Sequence, residues 1–336
     1  MLVSQILVLI VVTFVLFLVI AMLAPLEALG WWAGWDQDQP SPQAPLELPA
    51  LSDSQISASQ QADCYVVYLS GVGMLRGDMH TAKERAFLDG LAARLPRAMI
   101  VRDIFPFSVT NRPLTNERIM AWFWRWIAGL KRRGFNMLLL RFVQIRNILQ
   151  VGVSADRRYG PIYNFGVAKE IIEGLLRCGY HLGQPKPVIL VCISGGGQVS
   201  VGTAPFLSHS LRVPIKVISI GGVLTDDPGI EAVDHLYHIS GSKDYIQHIG
   251  DVLYLGRWRI FPQSSWNRTR AKNKITVIHI GAMKHMGYGD YFSRSAILPD
   301  GQAHLDKTLD TIVEIVETHY RPKETQQAER EKVSVP

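Results

Sequence analysis

The stretch VILVCISGGGQVSVG, residues 188–202, decides the fold class of this 336-residue chain. Its first half is a run of apolar, largely β-branched residues, which is typical of a strand buried on both faces. The run ends at Ser194 and three glycines, and small residues compatible with the start of a helix follow. A strand, a tight glycine-rich turn and a helix in that order indicate one unit of an α/β protein.

Five further apolar runs resemble this one: CYVVYLS, RAMIVRDI, PIKVISIGG, DHLYHIS and KITVIHIG. Each is continuous enough to predict a strand buried on both faces, as parallel sheets require. Helical patterns alternate with them at TAKERAFLDGLAARL, NFGVAKEIIEGLLRCGY, the segment after Gly196 and AHLDKTLDTIVEIVETHY. The alternation predicts a doubly wound, mostly parallel α/β sheet.

The amino terminus has a different composition. Residues 2–24 carry no charge, and a helix of that length spans the roughly 30 Å hydrocarbon layer of a membrane. A cleaved signal peptide is the competing interpretation, but the run lacks a basic start and a clear small-x-small cleavage site. Trp31, Trp32 and Trp35 follow at the depth where interfacial aromatic residues are common. We therefore predict a retained single-pass transmembrane anchor over residues 1–25.

Charge is unevenly distributed along the chain. Residues 1–75 contain no lysine or arginine, so the positive-inside rule does not assign a side of the membrane. Residues 76–336 carry 35 basic and 23 acidic side chains, a net charge of +12. A basic domain favours an anionic surface, lipid or nucleic acid. Because no nucleic-acid-binding module is recognisable, we predict a membrane rather than a nucleic acid as the partner, with the oligomeric state unassigned.

The chain divides by composition into four parts. The anchor is followed by an interfacial segment and flexible linker over residues 26–63, rich in Pro, Ser, Gln and Asp. An α/β domain is predicted over 64–320, and a polar, disordered tail over 321–336. One insertion, 105–160, interrupts the alternation of strands and helices and carries two amphipathic helical patterns rich in basic residues.

Three of the predicted strands end at chemically useful side chains. Ser194 follows VILVCI, Asp244 follows DHLYHISGSK, and His285 follows ITVIHIGAMK. We expect the three to lie together, because the carboxyl ends of parallel strands meet at one edge of a sheet. A serine hydroxyl needs a neutral imidazole to accept its proton, and the imidazole needs a carboxylate to hold its tautomer. The order serine, aspartate, histidine therefore predicts a catalytic triad.

Each member of this triad has an alternative interpretation. Ser194 could cap a helix on a glycine-rich turn, since serine caps helices readily. Asp226 or Asp227, after the preceding strand, could supply the acid in place of the aspartate of GSKD. The rival histidines are His279, predicted as a core residue inside an apolar strand, and His304 on the last helix.

On these motifs, residues 64–320 resemble the α/β-hydrolase superfamily. CISGGG looks like its nucleophile elbow, SGSKDY like its acid loop, MKHMGYGDYF like its histidine loop, and SGVGM like its oxyanion loop. The match departs at Cys192, where the family places a glycine in a crowded position; cysteine is small enough to fit there. The resemblance implies that the backbone N–H of Val72 or Gly73, together with that of Gly195, stabilises an oxyanion.

No cofactor or metal is predicted. GGGQVS offers G-x-G-x-x-S rather than a dinucleotide fingerprint, lies on a late strand, and is accompanied by no Walker lysine. Cys64, Cys178 and Cys192 lack a CxxC spacing and sit in apolar runs, so we interpret them as small core residues.

The combined prediction is a membrane-anchored serine hydrolase with esterase- or lipase-like activity on an acyl ester or thioester. The alternative is a catalytically inactive hydrolase-fold protein that binds a lipid or protein partner at the membrane. The insertion 105–160 is predicted to cover the mouth of the pocket, because the 222–234 connection is too short for a separate lid. Its residues Trp122, Trp126 and Phe142 are predicted to bind the acyl substrate.

Overall fold

The computed structural model describes residues 24–35, 50–74, 76–109 and 136–320, together with positions 5, 7, 8, 11, 42, 45 and 46. The predicted anchor over 1–25 therefore lies mostly outside the described residues, and the predicted tail over 321–336 lies entirely outside them. Within the described ranges, no helix combines the length and the hydropathy that crossing a membrane requires.

The centre of the domain is a six-stranded, all-parallel sheet. Its strands in chain order are β1 (Cys64–Leu69), β2 (Ala98–Val101), β3 (Val188–Ile193), β4 (Ile215–Ile220), β5 (His235–Ser240) and β6 (Ile275–His279). In space the order is β2-β1-β3-β4-β5-β6, so β3 is central and carries Ser194 directly after its last residue. The predicted parallel α/β sheet is confirmed, strand by strand.

Helices cover both faces of this sheet. Their bounds are α1 (Leu26–Trp32), α2 (Asp53–Gln61), α3 (Ala82–Arg94), α4 (Asn136–Ala155), α5 (Gly160–Arg177), α6 (Gly196–Leu211), α7 (Ile249–Leu253), α8 (Ser265–Ala271) and α9 (His304–Tyr320). Short 3₁₀ turns lie at Pro228–Ala232, Ile246–His248 and Leu255–Arg257. Alternate side chains of each central strand enter two separate cores, one with α5 and α6 and the other with α3 and α9. Such two-sided burial explains the continuous apolar runs in the sequence.

The last strand departs from the prediction of burial on both faces. β6 is an edge strand, paired with β5 alone, and Val277 in its centre is 51% exposed. His279, predicted as a core residue, is exposed at the end of the same strand. The apolar pattern of KITVIHIG does not distinguish a central strand from an edge strand, because the position in the sheet depends on the fold.

The segment predicted as a flexible linker is partly ordered. Its last residues form helix α2, which begins with a capping box between Ser52 and Gln55. The helix docks on the domain through polar contacts: the Ser59 hydroxyl bonds to the Gly179 carbonyl, and Lys186 donates to the Ser59 carbonyl over 2.6 Å. Because α2 buries little apolar surface, its hydrophobic pattern did not reveal it.

The tryptophans after the apolar stretch divide into two environments. Trp31, predicted at headgroup depth, is 6% exposed and packs its ring 6.2 Å from that of Phe165 on α5. A Cβ on Gly166 would lie 3.1 Å from the Trp31 ring, so the indole fits closely against a glycine on α5. Trp32 and Trp35 are 49% and 60% exposed. Trp32 also packs edge-on against Phe165, with ring centroids 6.0 Å apart, so two of the three indoles hold helix α1 against the domain.

Candidate active site

Ser194 occupies a strained turn between β3 and α6. Its φ is +56°, a left-handed conformation that residues other than glycine rarely adopt. Backbone hydrogen bonds fix it there: its N–H donates to the Ile220 carbonyl, and its carbonyl accepts from Val223, each over 3.2 Å. A conformation of this kind costs about 1–3 kcal/mol and occurs mainly at functional sites, because the surrounding structure must impose it.

The glycines after Ser194 are required by close packing. A Cβ on Gly196 would lie 2.7 Å from the Leu69 and Ser70 carbonyls, and one on Gly195 would lie 2.8 Å from the Val72 side chain. The crowding of the turn therefore falls after the serine. Two residues before it, Cys192 is completely buried and its thiol contacts the Ile218 carbonyl at 3.5 Å. Burial raises the pKa of Cys192 to about 12, so this thiol stays neutral.

The three predicted residues Ser194, His285 and Asp244 form one hydrogen-bonded row. The Ser194 hydroxyl lies 2.8 Å from Nε2 of His285, and Nδ1 of the same ring lies 2.9 and 3.0 Å from the Asp244 oxygens. An ionised carboxylate only accepts hydrogen bonds, so Nδ1 carries the hydrogen and Nε2 accepts from the hydroxyl. The Asp244 side chain is fully buried and that of His285 is 8% exposed.

The carboxylate of Asp244 is held by more than the imidazole. The N–H groups of Ile246 and Gln247 donate to its Oδ1 over 3.0 and 3.2 Å. Burial acts to raise the pKa of Asp244, but the hydrogen bonds, chiefly from His285 and Tyr291, hold it below its ordinary value. The carboxylate is therefore ionised at neutral pH and can stabilise a positively charged imidazole.

Tyr291 belongs to this site and was missed from the sequence. Its hydroxyl donates to Oδ2 of Asp244 over 2.8 Å and accepts from the Gly241 N–H over 2.9 Å. Burial and the adjacent carboxylate raise the pKa of Tyr291, so the phenol keeps its proton and remains a donor. At Gly221, a Cβ would lie 2.5 Å from the Asp244 carboxylate, which shows how closely these groups pack. Tyr291 ends the stretch GYGDY, six residues beyond His285, and no sequence pattern marks a tyrosine at that place.

The loop after His285 is fixed by side chains from two helices on one face of the sheet. Lys83 on α3 donates to the Gly287 carbonyl over 2.6 Å and pairs with Asp290 over 2.5 Å. His304, at the start of α9, donates through Nδ1 to the Gly289 carbonyl over 3.1 Å. These contacts hold both ends of the turn that follows the histidine.

The rival residues lie elsewhere. Asp227 accepts from the Gln198 amide over 2.8 Å and from a backbone N–H, and burial raises its pKa. Asp226 is 3.7 Å from Arg157. Of the histidines, His304 is 5% exposed and holds the Gly289 carbonyl, and His279 is exposed on β6. None of these four contacts Ser194 in the described part of the chain, whereas His285 does.

The loop predicted to bind an oxyanion packs against the serine turn. A Cβ on Gly71 would lie 3.4 Å from that of Ser194, and the side chain of Val72 lies over Gly195. Within the described chain, no backbone carbonyl accepts from the N–H of Val72, Gly73 or Gly195. Two neighbouring backbone segments beside the hydroxyl therefore carry N–H groups without a backbone acceptor in the described chain, and their role at an oxyanion stays a prediction.

A buried asparagine from the insertion determines the shape of that loop. Asn147 on α4 is completely buried, and its side-chain amide donates to the Val72 and Met74 carbonyls over 2.9 and 2.8 Å. Its own oxygen accepts from Arg146 over 3.2 Å, and Arg146 in turn pairs with Glu27 on α1. The loop, the insertion and the amino-terminal helix are thus linked by one buried polar network.

The predicted substrate-binding residues fall outside this description. Trp122 and Trp126 are not among the described residues, and Phe142 lies on α4 with its side chain outside them. The described half of the insertion does reach the site, since a Cβ on Gly195 would lie 2.7 Å from Val151 on α4. Among the described residues, no group of three or more His, Cys, Asp or Glu side chains is arranged to hold a metal ion.

Comparison with known proteins assigns no family to this arrangement. No family model matches the chain, and no curated protein is similar to it at a significant level. The fold itself is a parallel α/β sheet with helices on both faces.

Proposed function

We propose that this chain is a serine hydrolase of the α/β-hydrolase type, which cleaves acyl esters or thioesters at a membrane. The observation that carries the proposal is the row from Ser194 through His285 to Asp244, with the serine held at a φ of +56° at the end of the central strand. A helix cap does not require a strained serine, nor an imidazole oriented by a buried carboxylate.

The geometry supports acyl transfer in two stages. In the first, Ser194 attacks the substrate carbonyl while Nε2 of His285 takes the hydroxyl proton, and the Asp244 carboxylate stabilises the imidazolium. The carbonyl carbon to leaving-group bond breaks, and the leaving alcohol or thiol takes the proton from Nε2. In the second, a water gives its proton to Nε2 and attacks the acyl-serine, and the proton returns to Ser194 as the acid leaves.

Backbone donors are assigned to the oxyanion that forms in each stage. The N–H groups of Gly195 and of Val72 or Gly73 lie on the two segments that meet beside Ser194. Each donor of this kind contributes about 2.7–4 kcal/mol of transition-state stabilisation in acyl transfer. Asn147, which holds the Val72 and Met74 carbonyls, is assigned the role of a positioning residue for these donors.

Fluorophosphonate labelling of the full chain in detergent tests the proposal. An activated serine forms a covalent adduct, so we expect one adduct per chain, mapped by mass spectrometry to the peptide with Ser194. Ser194→Ala abolishes the adduct, and His285→Ala slows it by several orders of magnitude because the hydroxyl loses its base. Ser208, near the end of α6, provides the matched control, and Ser208→Ala leaves labelling unchanged.

A wild-type chain that stays unlabelled while its melting temperature shows it to be folded contradicts the proposal. That outcome favours the inactive hydrolase-fold protein that binds a lipid or protein partner, the alternative predicted from the sequence. Esterase assays with short and long acyl chains then define the substrate of a chain that does label.

A further inference from the structure

Residues 245–261 lie in the connection from β5 to α8 and expose an unusual amount of apolar surface. We call this segment the apolar platform. It holds eight of the 21 large apolar side chains that are exposed within the described chain. The most exposed are Tyr245 at 78%, Ile260 at 73%, Leu253 at 67% and Val252 at 66%. So many large apolar side chains in water together mark an interaction surface, because soluble domains rarely expose them in clusters.

The apolar platform has a defined conformation. The side-chain nitrogen of Asn267 on α8 lies 2.8 to 3.2 Å from three backbone carbonyl oxygens of the apolar platform, which share its two hydrogens. The Arg257 guanidinium lies 3.7 Å from the centre of the Trp266 ring and donates to the Leu224 carbonyl over 2.8 Å. These contacts fix the backbone of the apolar platform, so its apolar side chains are exposed in a folded conformation.

The apolar platform lies at the same end of the sheet as the site. It begins at the residue directly after Asp244, and Met286 and Tyr288, which follow His285, are 54% and 72% exposed. Both loops leave the carboxyl ends of neighbouring strands, β5 and β6. The exposed apolar surface is thus continuous in sequence with two of the three residues of the proposed triad.

The exposed charged side chains on the two loops are positive, and the Asp226 carboxylate that lies against Gly256 of the apolar platform is 3.7 Å from Arg157. Lys243, Arg259 and Lys284 are exposed on or beside the two loops. The acid within the apolar platform, Asp251, is occupied by Arg257 and by His248 over 3.0 Å. Apolar side chains with cations beside them complement an anionic lipid surface, where the chains enter the headgroup region and the cations meet lipid phosphates.

The amino-terminal chain reaches the domain at this same end. The Ala24 carbonyl accepts from Gln150 on α4 over 3.1 Å, and the next residue, Val151, packs over Gly195. The apolar stretch before Ala24 therefore joins the fold beside the serine turn. Of its described positions, Leu7 and Val8 are each 61% exposed, so the domain does not cover them.

We propose that the apolar platform docks on an anionic lipid bilayer and so holds the carboxyl end of the sheet, with Ser194, against the membrane surface. An acyl substrate then reaches the serine from the lipid phase without crossing water. Docking itself requires no catalysis, and only the delivery of an acyl substrate from lipid to Ser194 rests on the proposed function.

Quenching of Trp258 by brominated lipids tests docking on the full chain in vesicles. Trp258 lies in the apolar platform at 42% exposure, and the difference between wild type and Trp258→Phe isolates its signal from the other indoles. We expect a clear difference in vesicles of phosphatidylcholine and phosphatidylglycerol, and a smaller one in phosphatidylcholine alone. The triple change Lys243→Gln, Arg259→Gln and Lys284→Gln should lower the docking constant about fivefold per charge, in anionic vesicles only.

A double change, Val252→Glu with Leu253→Glu, should abolish the Trp258 signal by placing charge in the headgroup region. Val277→Glu is the matched control, because Val277 is equally apolar and 51% exposed but lies on the β6 edge. Melting temperatures of all variants confirm folding, and Ile260→Asn provides a second, milder test of the same surface.

Three results overturn the proposal. The first is no difference between wild type and Trp258→Phe in anionic vesicles, and the second is equal loss of signal from Val277→Glu. Association of two chains that protects the apolar platform in the absence of lipid also overturns it, because a second copy would then be the occupant. All measurements are repeated with Ser194→Ala, so a failure of docking is separable from a failure of the proposed hydrolase activity, which labelling reports alone.

Discussion

Asn147→Leu tests whether Asn147 positions the oxyanion loop for catalysis or only stabilises the fold. Leucine has the same branching and the same number of side-chain heavy atoms as asparagine but no donor, so the Val72 and Met74 carbonyls both lose their hydrogen bonds of 2.9 and 2.8 Å. A buried carbonyl left without a partner costs about 1–3 kcal/mol, and the Val72 carbonyl is only partly buried. We therefore expect a loss of about 2–4 kcal/mol in the free energy of unfolding.

The effect on catalysis should be larger than the effect on substrate binding. Complete removal of one oxyanion donor lowers kcat by about 10²–10³. A loop that shifts keeps its donors but misplaces them, so we expect kcat to fall by about 10- to 100-fold with KM changed by less than about twofold. This split follows because the loop contacts the charge that develops in the transition state.

The assay is hydrolysis of a p-nitrophenyl ester, expressed as kcat per serine titrated with fluorophosphonate, alongside thermal melting in detergent. Gln150→Leu is the matched control: Gln150 is 2% exposed on the same helix, but its amide donates to Ala24 and Glu27 rather than to the loop. It should lose stability and keep kcat. If Asn147→Leu and Gln150→Leu lower kcat equally at equal loss of stability, the positioning role is refuted.

Three further predictions concern single side chains in or near the site. Tyr291→Phe removes a hydrogen-bond donor from Asp244 and should raise the pKa of that carboxyl towards its ordinary value. Because a depressed pKa stabilises the fold above about pH 4 and not below its own value, the difference in free energy of unfolding between wild type and variant should shrink as the pH falls through the acid range. A difference that stays constant in urea titrations contradicts this prediction. Burial lowers the pKa of His238 to about 4, so as the pH falls the unfolded chain takes up this proton near pH 6.5 and the folded chain only near pH 4. The free energy of unfolding should therefore decrease by at most about 3 kcal/mol as the pH falls through that window. An equally steep dependence on pH in His238→Gln would exclude His238 as the cause. Cys192, with a pKa raised to about 12, should resist alkylation by iodoacetamide at pH 8 until urea unfolds the chain, and rapid alkylation of the folded chain would show that the thiol is accessible. Cys192→Gly should keep fluorophosphonate labelling and lose about 1–3 kcal/mol in the free energy of unfolding.

The six strands and the three residues of the proposed triad could be predicted from the sequence alone. Strands buried on both faces leave continuous apolar runs, and each run could be read without knowing its neighbours. Ser194, Asp244 and His285 were found because each follows such a run, and parallel strands must bring their carboxyl ends to one edge. Local pattern and one rule of topology were sufficient for these features.

Local signals also existed for parts of the chain that were misinterpreted. The capping box at Ser52 and Gln55 was present in a segment predicted as a flexible linker, but α2 docks through hydrogen bonds and leaves no apolar stripe. Trp31 was predicted at headgroup depth because its position after an apolar run is typical of interfacial residues. Its burial against Phe165 depends on a partner more than a hundred residues away.

The side chains that support the site are far apart in the sequence and could not be predicted from it. Asn147 lies 75 and 73 residues from the carbonyls that it holds, and Tyr291 lies 47 residues from Asp244. The exposure of β6 and of the apolar platform likewise follows from which surfaces the helices leave uncovered. The identity of an apolar residue does not show whether it lies in a core or on a surface. The identity of a polar residue does not show whether it contacts water or a buried partner. Periodicity reports the local environment that a segment requires, whereas the identity of the neighbour is fixed by packing across the whole fold.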